Sequence, residues 1–92
     1  MPYFVYIIES IKHKRRYIGS TSDPEKRLNY HNKGANRSTR PYRPYKSVYL
    51  EKLNSKIEAL KREKQLKSYK GGEALKKLIL SWSGGAVNRT RL

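Results

Sequence analysis

One glutamate stands where a core-facing helix should carry a hydrocarbon. Over the segment from Ser55 to about Tyr69, we take Ile57 as origin and turn about 100° per residue. Ala59, Leu60 and Leu66 then fall at about 200°, 300° and 180°, an apolar arc that faces a sheet. Glu63 falls at about 240°, inside that arc, while Glu58, Lys61, Arg62 and Gln65 take the opposite face. A carboxylate aimed into a protein is costly unless something compensates it. The compensator is either a nearby Lys or Arg, the commoner case, or a divalent cation, which takes oxygen ligands and keeps most of its waters.

Two other places hold reactive side chains. Arg27 and His31 are four apart, so on a helix they stack on one face, with Leu28 beside His31. If Leu28 points at the core, both border the same buried seam. A histidine there is more often a packing residue, and an arginine more often covers apolar atoms with its stem. Tyr6 and Tyr17 can project from the same face of neighbouring strands, again a common aromatic pairing. A phenol beside an arginine, a metal and a phosphate would instead have a lowered pKa and could act as a base. Together, two tyrosines, an arginine, a histidine and one inward glutamate match hydrolysis of a phosphodiester: charge neutralised on the phosphate, and a base for water.

The elements that must position these residues are legible. Tyr3 to Glu9 is aromatic and β-branched throughout, a strand covered on both faces. Arg16 to Ser20 follows a basic connection and predicts the second strand of a hairpin, and Ser47 to Leu53 predicts a third strand. Ser22-Asp23-Pro24-Glu25 offers two N-cap residues, a first-turn proline and a capping box from Ser22, opening a helix to about Asn32. Ser55-Lys56-Ile57-Glu58 is a second capping box, for a helix through about Tyr69 that stops at Gly71-Gly72. Glu73 to Trp82 predicts a third helix. The expected class is α+β, a small three-stranded mixed or antiparallel sheet flanked by helices in the order β-β-α-β-α-α. One domain is expected over residues 1–82, with a basic, flexible tail over 83–92.

Composition narrows the partners. The 92 residues carry a formal charge of +15, which attracts polyanions, nucleic acid first among them. Without cysteine there is no disulfide, thiolate zinc site or thiol nucleophile. No stretch is long and apolar enough for a membrane span and no signal pattern opens the chain, so a soluble, cytoplasmic protein is expected. Between Asn32 and Ser47, Lys33, Arg37, Arg40, Arg43 and Lys46 alternate with Tyr42 and Tyr45, and there is no acid. Cations for phosphates and flat rings for bases are what a nucleic-acid surface needs, although a solvated loop is the plain alternative. Lys67, on a lysine-rich helix, belongs with the same cationic surface.

With these residues in place, the sequence resembles the GIY-YIG nuclease superfamily. The resemblance is carried by Phe4-Val5-Tyr6, Tyr17-Ile18-Gly19, Arg27, His31-Asn32 and Glu63, and by the wording YIGSTSDPEKRLNYHNKGA and IEALKREKQLK around them. It runs from about Pro2 to Tyr69 and is similar to the small single-domain bacterial branch, alongside the nuclease domains of UvrC and of Slx1-type endonucleases. The resemblance implies that Tyr6 or Tyr17, the former before the latter, activates or orients the attacking water. It likewise implies that Arg27 binds the scissile phosphate, His31 assists proton movement, and Glu63 holds a single Mg²⁺ or Mn²⁺. Gly19 would let backbone and substrate approach closely. The products would be a 5′-phosphate and a 3′-hydroxyl. Two departures stand out: Phe4 and Val5 replace the glycine and isoleucine of the name motif, and the asparagine that many members carry after the metal-binding helix has only Asn88 as a counterpart.

The expected function is therefore a metal-dependent endonuclease on DNA, selective for structure rather than sequence, of the repair or recombination type. With no appended DNA-binding domain, it would rely on its own basic loop, a protein partner or a homodimer. The alternative is a non-catalytic nucleic-acid-binding module of the same fold, and behind it a basic accessory protein docking on ribosomal RNA or a repair complex. An inward carboxylate, which repels phosphate, favours the enzyme.

Overall fold

Tyr3–Ser10 (β1) is apolar on both faces because it is the middle strand of three. Arg16–Thr21 (β2) and Tyr45–Leu53 (β3) flank it, and both pairings are antiparallel, so the sheet has no parallel step. The computed structural model describes residues 2–70 and 72–82. The tail expected over 83–92, and Asn88 with it, lie outside the described residues. The element order is β-β-α-β-α-α, as the sequence predicts, with helices at Pro24–Asn32 (α1), Lys56–Ser68 (α2) and Glu73–Ser81 (α3).

Strand alternation divides the core in two. Val5 and Ile7 point to one face and pack with Tyr49, Ala59, Leu66 and Leu75, the side covered by α2 and α3. Tyr6 and Ile8 point to the other and pack with Tyr45, Leu28 and Leu50, the side covered by α1. A β-bulge lets Tyr49 and Tyr45 serve opposite faces although they are four apart. Ile7 pairs with Tyr49 but Ile8 pairs with Ser47, so β3 carries an extra residue at Val48 and its phase reverses there.

The local signals mostly act as expected, with corrections that have physical reasons. Helix α1 is capped by Asp23, whose side chain accepts from the Lys26 N–H, rather than by a box from Ser22. The Thr21 hydroxyl accepts from the Asp23 N–H and holds the cap in place. Helix α2 starts at its expected cap, Ser55 accepting from the Glu58 N–H. Strand β3 begins at Tyr45 rather than Ser47, because Asn32 ties its first residue down. The Asn32 side chain accepts from the Tyr45 N–H at 2.7 Å and donates to the Tyr45 carbonyl at 3.2 Å. The long basic segment therefore contains a 3₁₀ turn, Arg40–Tyr42, and ends sooner.

The inward arc of α2 is centred on Ala59 and Leu66, both wholly buried. Leu60, expected in that arc, is 47% exposed, and Ile57 is 67% exposed. Arg62, expected on the opposite face, turns inward: its Nε donates to Glu51 Oε1 at 2.9 Å. The same oxygen accepts from the Tyr49 hydroxyl at 2.6 Å, and burial together with that hydrogen bond pushes the Tyr49 phenol up to about 12. Arg62 and Glu63 thus flank the apolar centre of α2, one on each side.

Candidate active site

The α1 face of the sheet assembles a hydrogen-bonded line of side chains. Register places Tyr6 opposite Gly19 and Tyr17 opposite Ile8, so the two tyrosines are diagonal neighbours with ring centroids 6.3 Å apart. The Tyr6 hydroxyl lies 3.0 Å from His31 Nε2, and the Tyr17 ring centroid is 4.8 Å from that of His31. His31 is completely buried, one turn after Arg27 on α1. Its Nδ1 lies 2.9 Å from Thr39 Oγ1, and the Thr39 hydroxyl donates to the Asn36 carbonyl at 3.4 Å.

These contacts couple the protons of three side chains. The Thr39 hydroxyl has one proton, which goes either to the Asn36 carbonyl at 3.4 Å, leaving its oxygen to accept from His31 Nδ1–H, or to Nδ1 itself at 2.9 Å. In the first arrangement Nε2 carries the lone pair and the Tyr6 hydroxyl donates to it; in the second Nε2–H donates to the Tyr6 oxygen. Burial and the Arg27 charge both lower the His31 pKa, which keeps the ring neutral. The Tyr6 phenol is shifted the other way. Burial raises its pKa first, Tyr17 and Glu63 add to the rise, and Arg27 opposes it. The lowered phenol pKa expected from the sequence is thus not what the protein's own groups provide: desolvation of the phenolate outweighs the guanidinium.

Gly19 also has a use within the chain. A Cβ there would lie 2.5 Å from the Tyr6 hydroxyl oxygen and 2.7 Å from Cζ. The close approach that glycine permits here is that of the Tyr6 ring.

Glu63 approaches this group from α2. Its side chain is 17% exposed, and Lys67, one turn further on, pairs with it at 2.7 Å. Its partner in the chain is therefore a lysine, and Lys67, expected to face nucleic acid, is engaged by the carboxylate. Among the described residues no three His, Asp or Glu side chains converge on one point. A single carboxylate open to solvent on one side still fits Mg²⁺ or Mn²⁺, hard cations that keep waters and take further oxygens from a phosphate. Arg27 is half-buried, its guanidinium carbon 5.0 Å from the Tyr30 ring centroid, and its charge reaches both Tyr6 and His31.

The basic loop is only partly the surface that its composition suggests. Lys33, Arg37, Arg40 and Lys46 are exposed. Arg43 is exposed too, but its guanidinium folds against Gly34, whose φ of 82° requires glycine and where a Cβ would collide with it. Tyr45 is buried at 5% exposure inside the α1-side core, so its ring has no free face for a base. Tyr42 is half-buried, with the Arg15 guanidinium 4.4 Å from its ring centroid and His13 edge-on at 5.4 Å.

Thr39 is a position that the sequence reading passes over, and Asn32 enters it only within the resemblance, without its hold on Tyr45. The signal for Thr39 was an asparagine turn: Asn36 Oδ1 accepts from the Ser38 and Thr39 N–H groups, which buries Thr39 to 2% exposure.

These side chains are set on a three-stranded antiparallel sheet with helices in the order β-β-α-β-α-α. The family model for the GIY-YIG catalytic domain matches residues 2–76, and the chain belongs to that family of nucleases. Among its relatives is the UPF0213 protein SSP2268 of Staphylococcus saprophyticus, 37% identical over 75 residues that cover 80% of this chain and 90% of that protein. The UPF0213 protein of Syntrophus aciditrophicus is 42% identical over 74 residues, 78% of this chain and 84% of that one. The solution structure of the UPF0213 protein BH0048 from Bacillus halodurans superposes with a TM-score of 0.52 at 30% identity, covering 94% of this chain and 89% of that one.

Proposed function

We propose that the protein is a metal-dependent endonuclease that hydrolyses DNA phosphodiester bonds and selects its target by shape, in repair or recombination. The observation that supports the reading is the Tyr6–His31–Thr39 line, in which a Thr39 proton held by the Asn36 carbonyl leaves His31 Nε2 as an acceptor facing the phenol. A phenol with a raised pKa is a poor store of negative charge, but a good relay. As the attacking water gives its proton to the Tyr6 oxygen, the Tyr6 proton passes to His31 Nε2. The water oxygen bonds to phosphorus, the bond to the 3′-oxygen breaks, and that oxygen takes up a proton to leave a 3′-hydroxyl and a 5′-phosphate. Arg27 neutralises the non-bridging oxygens. Glu63 would hold a Mg²⁺ or Mn²⁺ ion, which when bound supplies Lewis-acid stabilisation of charge on the phosphate. Exposed Lys33, Arg37 and Arg40 supply backbone contacts that carry no base identity.

The test compares the protein and its Glu63→Gln variant on labelled plasmid and flap DNA, with Mg²⁺ or with EDTA. Metal-dependent cleavage by the parent, near-complete loss in the variant and retained DNA binding are expected. Binding without cleavage by the parent on every substrate would leave the non-catalytic module standing instead.

A further inference from the structure

On the opposite side of Tyr17 from His31, a cavity of about 740 Å³ opens between β2 and the α2–α3 side of the molecule. That size lies within the range of small-molecule sites. Ile18 forms its apolar floor, backed by the buried Leu66 and Leu75. Lys14, Lys67 and Lys70 stand on its wall. Its single acid, Glu9, is 3.9 Å from Arg16 on the same rim and is balanced by it. An excess of cation around an apolar floor suits a ligand that is flat and apolar at one end and anionic at the other. The cavity adjoins the candidate active site at the β2 edge, where Tyr17 borders both and Lys67 is the partner of Glu63.

The geometry points to this cavity as the receptacle for one unstacked nucleotide of the substrate strand beside the scissile phosphate, its base over Ile18 and its phosphate between Lys14 and Lys70. The inference rests on the nuclease reading and adds to it a receptacle that one displaced nucleotide fills. A continuous duplex keeps its bases stacked and cannot fill the cavity. The chain's own residues 83–92 carry Arg89 and Arg91 and no acidic side chain, so charge disfavours them as the occupant.

The test is binding, read without cleavage. The protein in EDTA, which withholds the metal, is titrated with the dinucleotide pTpT while the Ile18 methyl and the Lys14 and Lys70 amide resonances are followed. Saturable shifts at these three residues are expected, and inorganic phosphate should move the lysine amides but leave the Ile18 methyl in place. A Lys14→Gln/Lys70→Gln double variant, whose changes are at exposed positions, should bind pTpT about tenfold more weakly, two charge-assisted contacts having been removed. No saturable shift at Ile18, equal shifts from phosphate alone, or unchanged affinity in the double variant would each overturn the proposal. Because no step requires cleavage, failure here is distinct from failure of the nuclease reading, which the plasmid and flap assay decides.

Discussion

Thr39 is buried, yet in the proposed relay the proton direction depends on it. In a Thr39→Val variant the buried His31 Nδ1 loses its hydrogen-bond partner, at a cost of about 1–3 kcal/mol in stability. The tautomer is then no longer fixed, and kcat should fall about ten- to a hundredfold with KM little changed. Thr39→Ser should restore both, and nitrogen-15 shifts of the imidazole would show the proton on Nδ1 in the parent and in Thr39→Ser but not in Thr39→Val. His31 also sets a pH dependence. Its native pKa lies below the ordinary imidazole value of 6.5, so the folded state binds the proton less readily than the unfolded state. The stability it contributes is complete above that value and is lost as pH falls below it and through the native pKa. Activity should show an acid limb below about pH 6.5, and that limb should disappear from the residual activity of a His31→Ala variant.

Elements bring these residues together by register. Pairing of β1 with β2 sets Gly19 against Tyr6, so a Gly19→Ala change acts on a phenol across the hairpin. Overpacking of that kind costs about 1–3 kcal/mol. The larger expected effect is on cleavage, since the displaced Tyr6 hydroxyl loses its bond to His31. A variant that cleaves at the parental rate would show that the ring can move without consequence. The sequence made this hairpin legible because strand composition and turn residues are local. It made Glu63 legible because a charge inside an apolar arc breaks a pattern. Arg62 was misplaced by the same wheel, since its neighbour across space, Glu51, belongs to another element. Tyr45 was read as a loop ring because the two features that bury it are equally non-local: the bulge at Val48 and the side chain of Asn32.

At the scale of the molecule, the charge of +15 sets two opposing responses to salt. Only three ion pairs join acids to bases among the described residues, so most cations face one another. Added salt screens that repulsion, and the melting temperature should rise between about 0.05 and 0.5 M KCl. Over the same range DNA affinity should fall, with a log–log slope that counts the phosphates contacted. A melting temperature that falls with salt would mean that the ion pairs outweigh the repulsion. The family and the α+β order were legible from motifs spread over most of the chain. The cavity beside Tyr17 was not, because its walls come from two connections, two strands and two helices whose meeting no spacing announces.

Thr39 sits between Arg37 and Arg40, both exposed, and it is also the residue that steadies His31. If this stretch makes the proposed backbone contacts, gripping the substrate and arming the relay are not separate events. A strand that pulled the loop out of place would then disarm the base, and one that seated it would leave the base ready. Fidelity of that kind would need no moving domain, only a hydroxyl lodged in the handhold.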